Sequence, residues 1–311
     1  MQMYLISWKR LSVLGLFAGL AAVQTGCQPE PGEAYSERKR RENEADIVAY
    51  MDQKNLRGSA QQAPSGLYYI VTKANPTGQL PAIGDQIQYQ FVKSRLDGLA
   101  VDSTDNAAGK VNSVTVLERY TSDGITTVRL YEGLTKLREG EEAILLAPFD
   151  ASDNKTGTLL LPAFTPVRYD VKVKSVRSEE EQILDYVAAN ALTNMEKTST
   201  GLRFLLTKAF PDSAQAKSGQ QVRVRYTGTL LDGRRFDSNV DNGITFRVGE
   251  GTVVKGWEET IVKLREGEKA TIIIPSSLAY GTTGRRPTST SPVGIPPYAP
   301  LRFDIELVSA Q

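Results

Sequence analysis

One pattern is written twice along this 311-residue chain, and that repetition constrains its fold more than any other feature. Ser65-Gly-Leu-Tyr-Tyr-Ile-Val-Thr-Lys73 returns as Thr200-Gly-Leu-Arg-Phe-Leu-Leu-Thr-Lys208, an offset of 135. At the same offset of 135, Leu96-Asp-Gly-Leu-Ala-Val-Asp-Ser103 returns as Leu231-Asp-Gly-Arg-Arg-Phe-Asp-Ser238. Lys136-Leu-Arg-Glu-Gly-Glu141 recurs unchanged from Lys263 to Glu268, now offset by 127. Leu161 to Asp170 matches Ile295-Pro-Pro-Tyr-Ala-Pro-Leu-Arg-Phe-Asp304 at offset 134. Four blocks in one order predict two copies of one domain. The changes of offset place eight extra residues in the first copy between Asp102 and Lys136, and seven in the second between Pro275 and Ile295. A polar segment with apolar residues at helical spacing precedes each copy: Ile47, Val48 and Met51 before the first, and Ile183, Leu184, Val187, Ala188 and Leu192 before the second.

Inside the second copy the periodicity is that of strands. Val222, Val224 and Tyr226 alternate with Arg223 and Arg225, as a half-buried strand does. Asp232-Gly233 is a hairpin turn signal. Trp257 to Lys263 reads as a short helix turning Ile261 and Leu264 inward, with Gly267 as its left-handed exit. Ala270 to Pro275 is a buried run, and Leu301, Phe303, Ile305 and Leu307 alternate with polar residues toward the C-terminus. The same template fits the first copy, ending in Val167, Tyr169, Val171 and Val173. Antiparallel strands around one short helix predict an α+β class.

Composition narrows the chemistry. The chain has no His, so it holds no imidazole base, Ser-His-Asp triad or His-ligated zinc, and its one Cys allows no intrachain disulfide. No metal and no cofactor are expected. With 37 basic and 36 acidic side chains there is no charge excess of the kind nucleic-acid binding needs.

Lys9 and Arg10 precede the uncharged stretch Leu11 to Val23, which is too short to span a bilayer, since that takes about 20 residues. The segment 1–26 therefore reads as a signal peptide. Its end, Thr25-Gly26-Cys27, resembles a bacterial lipobox, although Gln24 stands where Leu is usual. The expectation is lipidation of Cys27 and a lipid-anchored tether over 27–36; an ordinary signal peptide that leaves a free Cys is the other reading. Loss of the leader leaves 35 bases against 36 acids. Residues 37–64 are expected as an N-terminal helix and linker, in which Glu42, Glu44 and Asp46 balance the basic run 38–41 on a solvated face.

The second copy resembles the FK506-binding-protein (FKBP) type peptidyl-prolyl cis-trans isomerases. The strings VRVRYTGTLLDGRRFDS (222–238), FRVGEGTVVKGW (246–257), LREGEKATIIIP (264–275), LAYG (278–281) and IPPYAPLRFDIEL (295–307) stand in family order. The resemblance implies two tandem FKBP-like domains, 65–177 and 200–311, each an antiparallel twisted β-sheet curled over a short α-helix and each preceded by a linker helix, the second over 178–199. It further implies Trp257 as the floor under a substrate proline ring, with Tyr226, Phe236, Phe246 and Phe303 lining the hollow. Val253, Val254 and Ile295 would form the rim, the Val254 N–H would meet a substrate carbonyl, and Tyr280 and Asp237 would give polar contacts. Taken singly these are ordinary core and turn residues, and it is the ordered set that points to a site. Two departures stand out: segment 281–294 exceeds the usual loop by about half a dozen residues, and Asn242 replaces an Arg that some members carry near the Asp.

Prolyl isomerisation suits this inventory. Rotation about the amide C–N bond meets a barrier of about 18–20 kcal/mol from lost resonance, and crossing it requires neither nucleophile nor metal. A dry aromatic hollow with a few placed donors is enough. Opposite Tyr226, Phe236, Trp257 and Tyr280 the first copy has Phe91, Val101, Leu130 and Asp153, while Asp102 and Tyr169 keep a carboxylate and an aromatic ring. The first copy is therefore expected to be a degenerate binding, dimerising or spacer module. The expected function is isomerase activity in the C-terminal domain, assisting the folding of proline-containing exported polypeptides, with a homodimer as a further partner. Similar lipid-anchored isomerases occur in Bacteroidetes-type bacteria, some with gliding or secretion machinery. Gln28 after Cys27 points to the outer membrane, facing the periplasm. The alternative is a non-catalytic scaffold lipoprotein that binds envelope proteins through both hollows.

Overall fold

A computed structural model describes residues 34–104, 109–120, 127–149, 157–192, 194–289 and 292–311. The expected signal peptide, Cys27, most of the tether and Asp153 lie outside them. The first unit opens with α1 (Tyr35–Gln53), followed by β1 (Gln61–Gln62), β2 (Tyr68–Lys73), β3 (Gln86–Arg95), β4 (Ala100–Ser103), β5 (Asn112–Thr115), α2 (Val128–Leu134), β6 (Glu142–Ala147) and β7 (Val167–Arg177). The second comprises α3 (Glu179–Ala189), β8 (Glu196–Lys197), β9 (Arg203–Lys208), β10 (Gln221–Leu230), β11 (Arg235–Arg247), α4 (Lys255–Ile261), β12 (Lys269–Ile274) and β13 (Leu301–Ala310).

The two sheets have one topology. The first runs β1-β2-β6-β7-β3-β4, with β5 also on β3; the second runs β8-β9-β12-β13-β10-β11. Every pairing is antiparallel. The fold is thus α+β, two antiparallel sheets of one topology in tandem, each with a short helix.

The repeat extends to buried polar details. Glu141 accepts the Asn75 and Arg138 amides at 3.2 and 2.8 Å, and Glu268 accepts those of Phe210 and Arg265 at 3.0 and 2.8 Å. Each carboxylate pins the turn before a central strand and is itself buried. That role explains the strict repetition of Lys-Leu-Arg-Glu-Gly-Glu.

Each sheet buries its inward face against its helix. Leu130, Leu134, Leu145, Tyr169 and Val171 fill the first core, and Trp257, Ile261, Ile272, Phe303 and Ile305 the second. Helix α1 adds a satellite cluster of Ile47, Tyr50 and Met51 against Ile70, Ile144 and Leu146 on β2 and β6. On its solvated side, Glu42 pairs with Lys39 at 2.6 Å and Arg38 at 3.7 Å. The helix starts two residues before the expected position 37, because the Tyr35 ring packs edge-on against Phe164 at 5.0 Å.

Between the units β7 runs directly into α3. Ser178 closes a capping box with Glu181. Arg177 reaches back to Glu139 at 2.8 Å and forward to Asp185 at 3.1 Å, while Glu180 holds Arg203 of β9 at 2.5 Å. Glu179 accepts the backbone N–H of Ser276 and, at 3.1 Å, its hydroxyl. The first half of the linker helix is therefore tied to strands and turns of both units.

Three local expectations need correction. Ile183 is buried but Leu184 is 49 % exposed, since one turn of α3 alone meets protein. Helix α4 starts at Lys255 and ends at Ile261, with Leu264 inward from the following turn. Gly267, with φ +84°, serves the turn into β12 rather than the helix exit.

Candidate active site

The second sheet and α4 bring five aromatic rings into one cluster. Trp257, in the first turn of α4, is 3 % exposed. Its ring meets Tyr226 of β10 at 4.8 Å, Phe303 of β13 at 5.4 Å and Phe246 of β11 at 6.1 Å, the first two edge-to-face. Phe236 closes the set on Phe303 at 5.5 Å, also edge-to-face. Such contacts fix ring orientation beyond what area burial does. The indole N–H is buried and makes no hydrogen bond.

Phe236 and Phe246 come from one strand because β11 is irregular. Val224 pairs with Ile244, yet Tyr226 pairs with Asn239, so residues 240–243 bulge from the ladder. The Asn239 side chain holds the bulge by bonding Gly243 N–H and C=O at 2.9 and 3.0 Å. This register sets Asp237 opposite Gly228. Asp237 accepts the Tyr226 hydroxyl, whose pKa is pushed upward by burial first and then by the charge and hydrogen bond of Asp237. Tyr226 therefore stays a neutral donor across the physiological range. Asn242, in the bulge, is exposed and takes no part.

Val254 is the N-cap residue of α4, its carbonyl accepting from Trp257 N–H at 2.9 Å. Val253 and Val254 pack half-buried on the core, as does Tyr280. Ile295 is buried and exchanges two 2.8 Å backbone bonds with Arg285. Nine of the ten expected residues therefore belong to or pack on one core cluster, and Asp237 joins them through the Tyr226 hydroxyl.

Gly228 and Arg285 were missed from the sequence. An added Cβ on Gly228 would lie 2.7 Å from both Phe236 Cζ and Phe303 Cε1, so only glycine leaves room for these rings. The signal was available: at offset 135 the first copy has Lys93. Arg285, on the lengthened loop, sets its guanidinium 5.6 Å from the Phe236 centroid and 5.4 Å from that of Tyr280.

In the first unit different residues meet at the matching place. Leu130 stands at the floor, fully buried. The Tyr169 hydroxyl lies 3.2 Å from Thr127 Oγ1 at the start of α2, and the Lys93 ammonium sits 5.5 Å from the Tyr169 ring. Two open grooves of about 620 and 540 Å³ are present, and Tyr226 lines the second. One is between α1 and the β3–β4 turn, and the other is on a polar face lined by Arg225, Lys269, Thr271 and Glu306. Neither gathers aromatic rings. Among the described residues no cluster of acidic or sulfur ligands could hold a metal.

A family profile described as FKBP-type peptidyl-prolyl cis-trans isomerase matches residues 212–308. FK506-binding protein 1 of Candida glabrata is 47 % identical over 103 residues, covering 32 % of this chain and 81 % of the relative. The chain belongs to the FKBP-type peptidyl-prolyl cis-trans isomerases. The Drosophila melanogaster relative named peptidyl-prolyl cis-trans isomerase Fkbp12 is 41 % identical over 101 residues, covering 32 % of this chain and 88 % of the relative. A crystal structure of the three FKBP domains of wheat FKBP73 covers 80 % of this chain and 96 % of its own, at 19 % identity and a TM-score of 0.36. This FKBP-type enzyme holds its aromatic hollow inside the matched segment. Its chemistry is what such a hollow can do: bury a proline ring, exclude water, and present neutral donors to an amide carbonyl as it twists out of conjugation.

Proposed function

We propose that the isomerase activity resides in the second unit, 200–311, and that it acts on proline-containing exported polypeptides in the cell envelope. The observation that carries the assignment is the contrast between the two floors. The second unit places the Trp257 indole there, framed by Tyr226, Phe246 and Phe303. The first unit instead places Leu130, Lys93 and the Tyr169–Thr127 contact in that space. An indole face offers a prolyl ring more apolar contact area than a leucine side chain does. The first unit then serves as a rigid spacer or binding module, in keeping with the ties along the linker helix.

Envelope location rests on the N-terminal sequence. A basic pair, a short apolar run and Thr25-Gly26-Cys27 support export and lipidation at Cys27, and the length of chain up to α1 supports a tether. Two acyl chains hold a protein firmly at a membrane, each buried CH₂ contributing about 0.8 kcal/mol. Gln28 supports the outer membrane, facing the periplasm, in a Bacteroidetes-type lipoprotein.

The test is prolyl-peptide isomerisation by residues 57–177 and 200–311 expressed separately. The proposal expects the second to account for the activity of the whole chain. Equal rates from the two pieces would remove it, and rates no greater than buffer from both would leave the scaffold reading.

A further inference from the structure

On the lengthened loop after Tyr280, residues 281–285 turn back against the aromatic cluster. Arg285 and Ile295 exchange backbone bonds in both directions at 2.8 Å, an isolated antiparallel bridge. The turn before it is tight: Gly284 has φ +63°, and a Cβ there would meet the Ile295 carbonyl at 2.2 Å. The backbone of Arg285 is thus fixed. Its side chain is fixed as well, since Nη2 donates to the Phe236 carbonyl at 3.3 Å and the guanidinium lies by the Phe236 and Tyr280 rings at 5.6 and 5.4 Å. Two walls of the proline hollow therefore share one half-buried cation.

The loop itself is basic. From Ala270 to Phe303 there is no acidic residue, while Arg285, Arg286 and Arg302 are present, Arg302 being paired with Asp304 at 2.9 Å. The opposite rim, from Asp237 to Glu250, carries Asp237, Asp241 and Glu250 against Arg247. Asp237 is engaged by the Tyr226 hydroxyl on that side. The Arg285 and Asp237 charges both bear on the Tyr226 hydroxyl.

We propose that Arg285 is a specificity residue that makes this enzyme favour prolines flanked by an acidic side chain. A guanidinium beside ring faces is weakly hydrated and always charged, and with Nη2 held by the Phe236 carbonyl it acts on a nearby carboxylate through that charge. A lysine beside the proline would meet like charge from Arg285 and Arg286. The inference rests on the placement of activity in the second unit and adds the class of peptide that unit selects.

The experiment uses the chain from residue 28, with peptides differing only in Glu, Leu or Lys on one side of the proline and then the other. On one of the two sides the Glu peptide is expected to exceed the Lys peptide in kcat/KM by about fivefold at low salt, the upper range for a half-exposed ion pair. Arg285→Gln should bring that ratio close to one, Arg285→Lys should keep part of it, and 0.5 M salt, at about a 4 Å Debye length, should compress it. Circular dichroism checks that the variants fold. A wild-type ratio near one on both sides, or a ratio that Arg285→Gln leaves unchanged, overturns the inference alone. Absence of activity on every peptide overturns the second-unit reading instead.

Discussion

Replacing Gly228 with alanine adds one methyl group at the back of the aromatic wall. That methyl would sit 2.7 Å from Phe236 Cζ and 2.7 Å from Phe303 Cε1, where ordinary contact starts at 3.4 Å, so each ring must give by 0.7 Å. Neither can do so freely. Phe303 lies edge-on to Trp257 at 5.4 Å and Phe236 edge-on to Phe303 at 5.5 Å, so movement of one ring passes to the floor. Gly228 has no positive φ, which makes the cost steric rather than conformational. Overpacking of this kind costs about 1–3 kcal/mol, and alanine returns about 0.4–1 kcal/mol by stiffening the unfolded chain. The expected net loss is about 1–2 kcal/mol, measured by urea unfolding. A misplacement of about 1 Å can reduce a rate a hundredfold, so a shift of this size should lower kcat/KM roughly tenfold. Trp257 is the only tryptophan in the chain from residue 28, so its emission should change as well. Wild-type stability together with wild-type kcat/KM in Gly228→Ala would refute the claim that the two rings are held in place by a missing side chain.

Two further outcomes follow from the site and its supports. Burial raises the Glu179 carboxyl pKa above its ordinary value of 4.5, and the two Ser276 hydrogen bonds oppose that rise only in part. A carboxyl raised on folding contributes stability below 4.5 that is lost as pH rises through the folded value. Wild type should therefore lose stability relative to Glu179→Gln between pH 4 and pH 7, and parallel pH profiles in urea titrations would contradict this. Cys27→Ala should abolish labelling by fatty acid and move the chain from the detergent phase to the aqueous phase, whereas unchanged partitioning would remove the lipid anchor.

How far the sequence carried the fold depends on the kind of signal. The repeat blocks include turn-pinning carboxylates such as Glu141 and Glu268, and residues that tie strands together recur with their spacing intact. Alternation at Val222, Val224 and Tyr226 likewise marks a strand with one buried face. The aromatic set was legible because its members sit inside recognisable strings. What was not legible depends on register. Lys93 stands opposite Gly228 in the repeat, but its consequence appears only once Gly228 is seen paired with Asp237 on one side and Phe303 on the other. Arg285 lies in a polar loop whose sequence has no periodicity, and it reaches the hollow only because the loop bridges back to Ile295. The exposure of Leu184 shows the converse limit: helical spacing gives a face, and packing decides how much of it is covered.

The central claim is that catalysis belongs to the hollow floored by Trp257. Its most direct test is kcat/KM for a prolyl peptide with the chain from residue 28 and with Trp257→Leu, which gives the second unit the floor residue the first already has in Leu130. Burying the three ring CH₂ groups of proline is worth about 2.4 kcal/mol, and leucine can restore only part of the surface they rest on. The account predicts a wild-type rate well above buffer and a loss of about tenfold or more in the folded variant. A folded Trp257→Leu chain that isomerises as fast as wild type would contradict it.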